Sequence, residues 1–271
     1  MFKKMMWVTG ILSAAAVVGK IYYDTNVVKI NPVTLMTNKL RKGSQLSILQ
    51  ISDLHNRTFG KDHKGLLKQI KKVKADVIVL TGDLIDRKTT DFHSIFCLVK
   101  ELKNINNQVF FITGNHEWDN PYLSELINLL EKHHVKILDN SHITIPFNGD
   151  EVQIIGLGKN YGNNTHVKQM IKKDNCTFTI LLSHIPNAVR ELSGTNIDLV
   201  LSGHTHGGQI RFPFIGSVIV PDQGVFPKFD KGLFEWDKGK LLYIDSGAGT
   251  TRLPVRFLNQ AQISLIQING E

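Results

Sequence analysis

Five short signatures in this chain carry side chains that bind metal ions. They are Asp53-Leu54-His55, Gly82-Asp83, Gly114-Asn115-His116-Glu117, Ser183-His184 and Gly203-His204-Thr205-His206. Aspartate, asparagine and histidine together offer mixed oxygen and nitrogen ligands. Magnesium and calcium prefer oxygen alone, whereas imidazole suits manganese, iron, nickel or zinc. Asp53, His55, Asp83, Asn115, His184, His204 and His206 are too many ligands for one tetrahedral ion. They suit two divalent ions that share a bridging carboxylate. Two ions about 3.5–4 Å apart stabilise both the attacking and the leaving oxygen of a phosphoryl displacement, and make hydroxide available near neutral pH.

Such a site requires elements that bring distant residues together. The runs 46–52, 77–80, 109–112, 178–182 and 197–201 are short, apolar and rich in β-branched or aromatic residues, which predicts buried strands. Each is followed at once by one of the five signatures. In open α/β sheets, ligands collect at the carboxyl ends of the strands, so the signatures are expected to converge there. Apolar stripes with helical spacing lie between: Leu66, Leu67, Ile70 and Val73; Ile95, Phe96, Val99 and Leu102; Leu123, Leu126, Ile127 and Leu130. Asn120-Pro121 opens the last of these. Asn148-Gly149-Asp150 separates two further strand-like runs and predicts a hairpin. Gln209–Phe212, Leu241–Ile244 and Gln262–Gln267 predict strands of a second sheet or of its far edge.

Each signature alone is weak, but the set in this order is specific. From about Leu46 to the carboxyl end the chain resembles the calcineurin-like metallophosphoesterase family, whose pattern is Asp-x-His, Gly-Asp, Gly-Asn-His-Asp/Glu, His and Gly-His-x-His. The context Leu201–Gln209 is similar to that of single-domain, membrane-anchored bacterial members. The resemblance implies a four-layer α/β/β/α sandwich. It implies a dinuclear centre in which Asp53, His55 and His206 hold one metal, Asp83 bridges, and Asn115, His184 and His204 complete the other. His116 would contact the phosphate and protonate the leaving oxygen, which gives Asp83, Asn115 and His116 the catalytic roles. Glu117 stands where many members have aspartate, glutamate being itself a family variant. The implied cofactors are two divalent ions (manganese, iron or zinc), and the implied partner is a phosphate-ester substrate, cleaved by a phosphodiesterase or phosphomonoesterase activity.

Of 271 residues, 42% are hydrophobic and 21% charged, which fits a globular domain with a sizeable core and excludes disorder as its main state. The formal charge of +8 favours anionic partners, but the lysines are scattered. No dense basic helix or aromatic–arginine array indicates specific nucleic-acid binding, although a nuclease remains an alternative. A catalytically silent scaffold is a second alternative, and nothing indicates an obligate protein partner. Cys97 and Cys176 form no short-spaced pair and read as free thiols. Residues 1–23 contain Lys3-Lys4 and an uncharged run from Met5 to Gly19, a signal anchor or signal peptide. That predicts a membrane-anchored or exported chain with an extracytoplasmic catalytic domain. Residues 24–44, with Asn31-Pro32, read as a linker, and residues 45–271 as the catalytic domain. Arg57 reads equally as a group neutralising a substrate phosphate and as a solvated arginine, Arg252 and Arg256 read as solvated arginines, and Asp86 reads as a loop cap. Specificity is expected in the loops 160–173 and 215–239.

Overall fold

The computed structural model describes residues 2–271 except 160–164, 173, 175, 226 and 252, so Arg252 and much of the expected specificity loop 160–173 lie outside the described residues. Helix α1 (Phe2–Asn26) is apolar and exposed along nearly its whole length, and only Asp24 and Thr25 at its end are buried. Among the described residues it is the one helix long and apolar enough to cross a membrane.

Strand β1 (Lys29–Thr37) begins almost immediately after it. The expectation of a linker over 24–44 is therefore corrected. Leu35 and Thr37 point inward while Pro32, Thr34 and Met36 point to solvent, a period-two pattern. Asn31-Pro32 suggests a break in the sequence, but β1 is an edge strand, where a missing N–H costs little.

The remaining strands are β2 (Gln45–Ile51), β3 (Val77–Thr81), β4 (Val109–Ile112), β5 (Lys136–Ile137), β6 (Ser141–Phe147), β7 (Asp150–Leu157), β8 (Phe178–Ser183) and β9 (Leu199–Ser202), followed by β10 (Arg211–Phe212), β11 (Gly216–Ser217), β12 (Ile219–Val220), β13 (Gly224–Val225), β14 (Gly232–Asp237), β15 (Lys240–Ile244) and β16 (Gln262–Gly270). One six-stranded sheet has the order β1-β16-β2-β3-β4-β5, and the other β14-β15-β9-β8-β7-β6. The run from Gln209 to Phe212 joins neither. It forms the root of a separate hairpin, β10–β11, beside a second small hairpin, β12–β13.

Alternation along the strands builds the layers. Ile48, Val79, Phe110 and Ile112 of the first sheet meet Ile154, Ile180, Leu182 and Leu201 of the second. Leu49, Ile51, Leu80 and Phe111 face the other way. They pack on helices α2 (Lys64–Ile70), α3 (His93–Ile105) and, beyond the single turn α4 (Asn115–Trp118), α5 (Leu123–Lys132). Leu181, Val200 and Leu242 face outward from the second sheet onto Val167 of α6 (Thr165–Met170) and the 3-10 turn Pro186–Glu191. The result is the four-layer sandwich. Each fully buried Leu, Ile or Phe contributes roughly 1.5–3 kcal/mol by leaving water, so three separate cores share the stability.

Strand directions decide which loops share an edge. β2, β3 and β4 are parallel, and β7, β8, β9 and β15 are parallel. β16 runs antiparallel to β2, with Ser264 beside Gln50, and β1 runs parallel to β16. The amino end of β1, and with it the end of α1, therefore lies at the same edge as the carboxyl ends of β2–β4.

Candidate metal centre

The loops leaving β2, β3, β4, β8 and β9 meet at this edge. Asp53, His55 and Asp83 all adopt positive φ, at 51°, 49° and 52°, a costly conformation that clusters at functional sites. Backbone bonds lock the two loops together: Asp53 N donates to Gly82 O at 3.0 Å, and His55 N to Asp83 O at 2.9 Å. Glu117 on α4 fixes the third loop. Its Oε2 accepts from Asp83 N at 2.7 Å and from Gly114 N at 2.8 Å, and its Oε1 from Ile85 N at 3.1 Å. Burial, reinforced by the charge of Asp83, pushes the Glu117 carboxyl up to about 7.

Two groups of side chains result, each with ligand atoms within 4.8 Å of one another, Asp53, His55 and His206, and Asp83, His184 and His204, and a third such group, His55, Asp83 and His116, overlaps them. In the first, His206 Nε2 lies 3.3 Å from Asp53 Oδ1 and 3.0 Å from His55 Nε2. In the second, His184 Nε2 lies 3.2 Å from Asp83 Oδ2, and Asn115 Oδ1 lies 3.1 Å from His184 Nε2 and 2.9 Å from His204 Nδ1. His55 Nε2 and Asp83 Oδ2, 3.6 Å apart, join the groups. All seven candidate ligands expected from the sequence thus meet in one place. His116 stands at its rim, with its N–H donating to Asp83 Oδ1 at 2.9 Å.

The lone pairs at the centre call for cations. His55 Nδ1 bonds Asp86 Oδ1 at 3.0 Å, which turns its Nε2 inward, 3.0 Å from His206 Nε2. His184 Nδ1–H donates to Thr81 O at 2.8 Å, which leaves Nε2 among the acceptors of Asp83 and Asn115. Burial alone would lower the His184 pKa, but the Asp83 charge and hydrogen bond outweigh it and hold the imidazolium up to about 10. Here a proton meets the demand that a metal cation would meet in the same place. Asp83 is opposed by burial too, yet His184 and His55 hold it well below the usual carboxylate range. His206, buried and next to His55, is pushed well below its usual value. Mixed N/O donors with two buried carboxylates fit a pair of first-row divalent ions.

Two glycines make room for the approach. A Cβ on Gly203 would stand 2.0 Å from Ser52 Oγ and 2.2 Å from Asp53 Oδ2, and one on Gly114 would stand 2.3 Å from Asp83 Oδ1. Only glycine lets these strand-end loops press against the carboxylates.

Sequence reasoning misses several partners. Asp86 Oδ1 accepts from both His55 Nδ1, at 3.0 Å, and His116 Nδ1, at 3.1 Å, so it orients two imidazoles rather than only capping its loop. Its position three residues past Asp83 is the one signal that could have marked it. Asp222, from the β12–β13 turn, lies 2.7 Å from His204 Nε2, and Arg87 Nη1 lies 2.9 Å from His116 Nε2. No local pattern marks either. Arg57 points away from the centre, to Asn26 Oδ1 at 2.9 Å and Thr250 Oγ1 at 3.4 Å. Arg256 is fully buried, and its guanidinium donates to the carbonyls of Gly249, Asn259 and Ser246, so the expectation of a solvated arginine is corrected.

Comparisons with known proteins agree with this geometry. The chain is 30% identical over 261 residues to an uncharacterized metallophosphoesterase of Aquifex aeolicus, a match covering 92% of this chain and 95% of that protein. It is 29% identical over 256 residues to the uncharacterized metallophosphoesterase YkuE of Bacillus subtilis, covering 92% of this chain and 88% of that one. In fold it is similar to TT1561 of Thermus thermophilus, with a TM-score of 0.51 at 14% identity over 76% of this chain and 92% of that chain. The sequence profile of the calcineurin-like phosphoesterases matches residues 46–208, more than half of the chain. The chain therefore belongs to the calcineurin-like phosphoesterase family and is a metallophosphoesterase.

Proposed function

We propose that this metallophosphoesterase hydrolyses phosphate mono- or diesters at a two-metal centre. Asp53, His55 and His206 would hold one ion, Asn115, His184 and His204 the other, with Asp83 between them. The observation that carries the reading is the meeting of the two three-residue groups across the 3.6 Å contact of His55 and Asp83. When bound, manganese, iron or zinc ions supply a water ionised near neutral pH and positive charge for the phosphoryl oxygens.

The chain's own residues do the rest. Asp86 and Asp222 orient the imidazoles of His55 and His204, a task whose loss typically costs 10–100-fold in metal affinity or activity. His116, at the rim, contacts the phosphate once the ester displaces Arg87 from its Nε2; that nitrogen then takes up a proton from solvent and passes it to the leaving oxygen. Arg87, half exposed and already paired with Asp119 at 2.8 Å, then faces the phosphate as a bidentate donor. Helix α1 anchors the chain in a membrane, and Lys3-Lys4 at its amino end favours a catalytic domain outside the cytoplasm. Esters linked to lipids or to cell-wall polymers are the substrates such a location favours.

The test is turnover of p-nitrophenyl phosphate and bis-p-nitrophenyl phosphate with added manganese, comparing the parent with Asp83→Ala. Metal-dependent turnover that the variant loses is expected. Equal rates in both, or none on these and on a panel of phospholipids and nucleotides, would refute the reading.

A further inference from the structure

The end of α1 is not followed by a tether. Tyr22 and Tyr23 are exposed in its last turns, and Lys20 pairs with Asp24 at 2.6 Å. Exposed tyrosines and a snorkelling lysine at the end of an apolar helix mark the level of the membrane–water interface. The next residues are already inside the domain. Thr25 Oγ1 accepts from Arg256 N at 2.8 Å, Ala261 N donates to Asp24 O at 2.8 Å, and Arg57 Nη2 donates to Asn26 Oδ1 at 2.9 Å. At 1.5 Å per helical residue, three residues span about 4–5 Å. If α1 lies in a membrane, the surface around Arg256 sits at the level of the lipid headgroups.

That surface is apolar. Phe257 exchanges backbone bonds with Gln209 and Arg211, both at 3.0 Å, which sets the β10–β11 hairpin beside Arg256. At the hairpin tip Phe212, Phe214 and Ile215 are 49%, 109% and 61% exposed, and Leu253 and Leu258 next to Arg256 are 58% and 38% exposed. Phe214 also adopts a left-handed φ of 66°, so the chain holds a bulky ring in solvent in a conformation that disfavours it. Scattered apolar residues on a surface need no explanation, but these share two segments joined by backbone bonds at the foot of an apolar helix.

We infer that the β10–β11 hairpin, with Leu253 and Leu258, seats in the interfacial layer of the same bilayer that holds α1, as a second membrane contact of the catalytic domain. The inference rests on the anchor reading given under the proposed function. It fixes how the domain lies on the membrane: the edge carrying the metal centre turns toward the lipid. The neighbouring β12–β13 hairpin, with Ile219 and Val225 exposed, carries Asp222 to His204, so the lipid-facing loops and the metal centre form one edge.

The test uses the full chain in vesicles of phosphatidylethanolamine and phosphatidylglycerol. With Cys97 and Cys176 replaced by serine, a fluorophore is attached at Leu12→Cys or at Phe214→Cys. It is then challenged with nitroxide-bearing lipid or with aqueous iodide. Quenching by the lipid and protection from iodide at both positions are expected. Lipid quenching at position 12 with full iodide access at 214 would overturn the hairpin contact and leave the anchor standing. No lipid quenching at either would remove the anchor reading, and the inference with it, while phosphatase assays test the metal chemistry separately. Photo-crosslinking of the unaltered chain by a diazirine phospholipid gives a reading without substitutions. Adducts mapping to 212–215 are expected, and adducts confined to α1 would overturn the inference.

Discussion

Glu117 Oε2 accepts the backbone N–H of Asp83 at 2.7 Å, so the side chain of one signature shapes the backbone of another. With its bonds to Gly114 N and Ile85 N, Glu117 satisfies three buried donors. Each buried donor left unpaired costs about 1–3 kcal/mol. Glu117→Ala should therefore lower unfolding stability by at least about 3 kcal/mol. Glu117→Gln, whose amide nitrogen opposes one of those N–H groups, should fall between the variant and the parent. Urea denaturation of the three proteins decides the matter; coincident midpoints would show that the three loops hold without the clamp.

Asp86 is half exposed, but its loss leaves the buried Nδ1–H of His55 without its partner, which costs about 1–3 kcal/mol. Its carboxylate also sets both His55 and His116. Asp86→Ala should lower the unfolding midpoint by no more than that one donor costs, while lowering kcat/KM or metal affinity by about 10–100-fold. Metal titration and steady-state kinetics would show it. Parent-like kinetics would mean that the imidazoles orient themselves.

Gly203→Ala should damage the centre without touching a ligand. The new methyl falls on Ser52 Oγ and Asp53 Oδ2, and buried backbone on both sides resists displacement. Metal content of the purified variant should drop well below that of the parent, read by elemental analysis. Parent-like metal content would show that the loop has slack the geometry does not suggest.

Ions that bind the folded chain alone raise its stability by about 2.7 kcal/mol at a hundredfold excess over Kd. Dialysis against a chelator should lower Tm, and added manganese should restore it. His184→Ala, which removes a buried candidate ligand, should show a smaller response to both. A Tm indifferent to chelation in the parent would mean that the centre takes up no ion under those conditions.

His63, buried beneath α3 with Nε2 2.7 Å from Ser94 Oγ, is driven by burial from 6.5 down to about 4. The folded state keeps it neutral, whereas the unfolded chain protonates it below 6.5. Between pH 6.5 and about 4 the unfolded state binds more protons at this residue, so the contribution of His63 to stability falls as pH falls through that window and is constant above it. His63→Asn, which tolerates the left-handed φ of 58° at that position, should flatten this part of the profile. Urea midpoints at pH 7 and pH 5 for both proteins measure it; equal slopes would assign the acid sensitivity to other groups.

The candidate ligands are legible in the sequence because each follows a buried strand within four residues, where the sheet leaves it little freedom to go elsewhere. Ile48, Val79, Phe110 and Leu182 declare their strands by apolar runs, and Asp53, Asp83, Asn115 and His184 inherit their positions. The supporting residues are illegible for the opposite reason. Asp222 reaches His204 across 18 residues of irregular chain, and Arg87 reaches His116 across 29, with no periodicity to predict either contact. β1 escapes notice because Pro32, harmless on an outer strand, reads as punctuation.

That outer strand ties the two ends of the catalytic body into one ladder, Lys29 against Gln262 through Thr37 against Gly270. Trimming near Ala14-Ala15-Ala16 would leave this closure whole. A soluble fragment started at Gln45 would instead strip nine residues of pairing from β16 and present a long naked strand to its neighbours, inviting self-association. The practical boundary of the enzyme is thus Asp24, where the helix enters the fold.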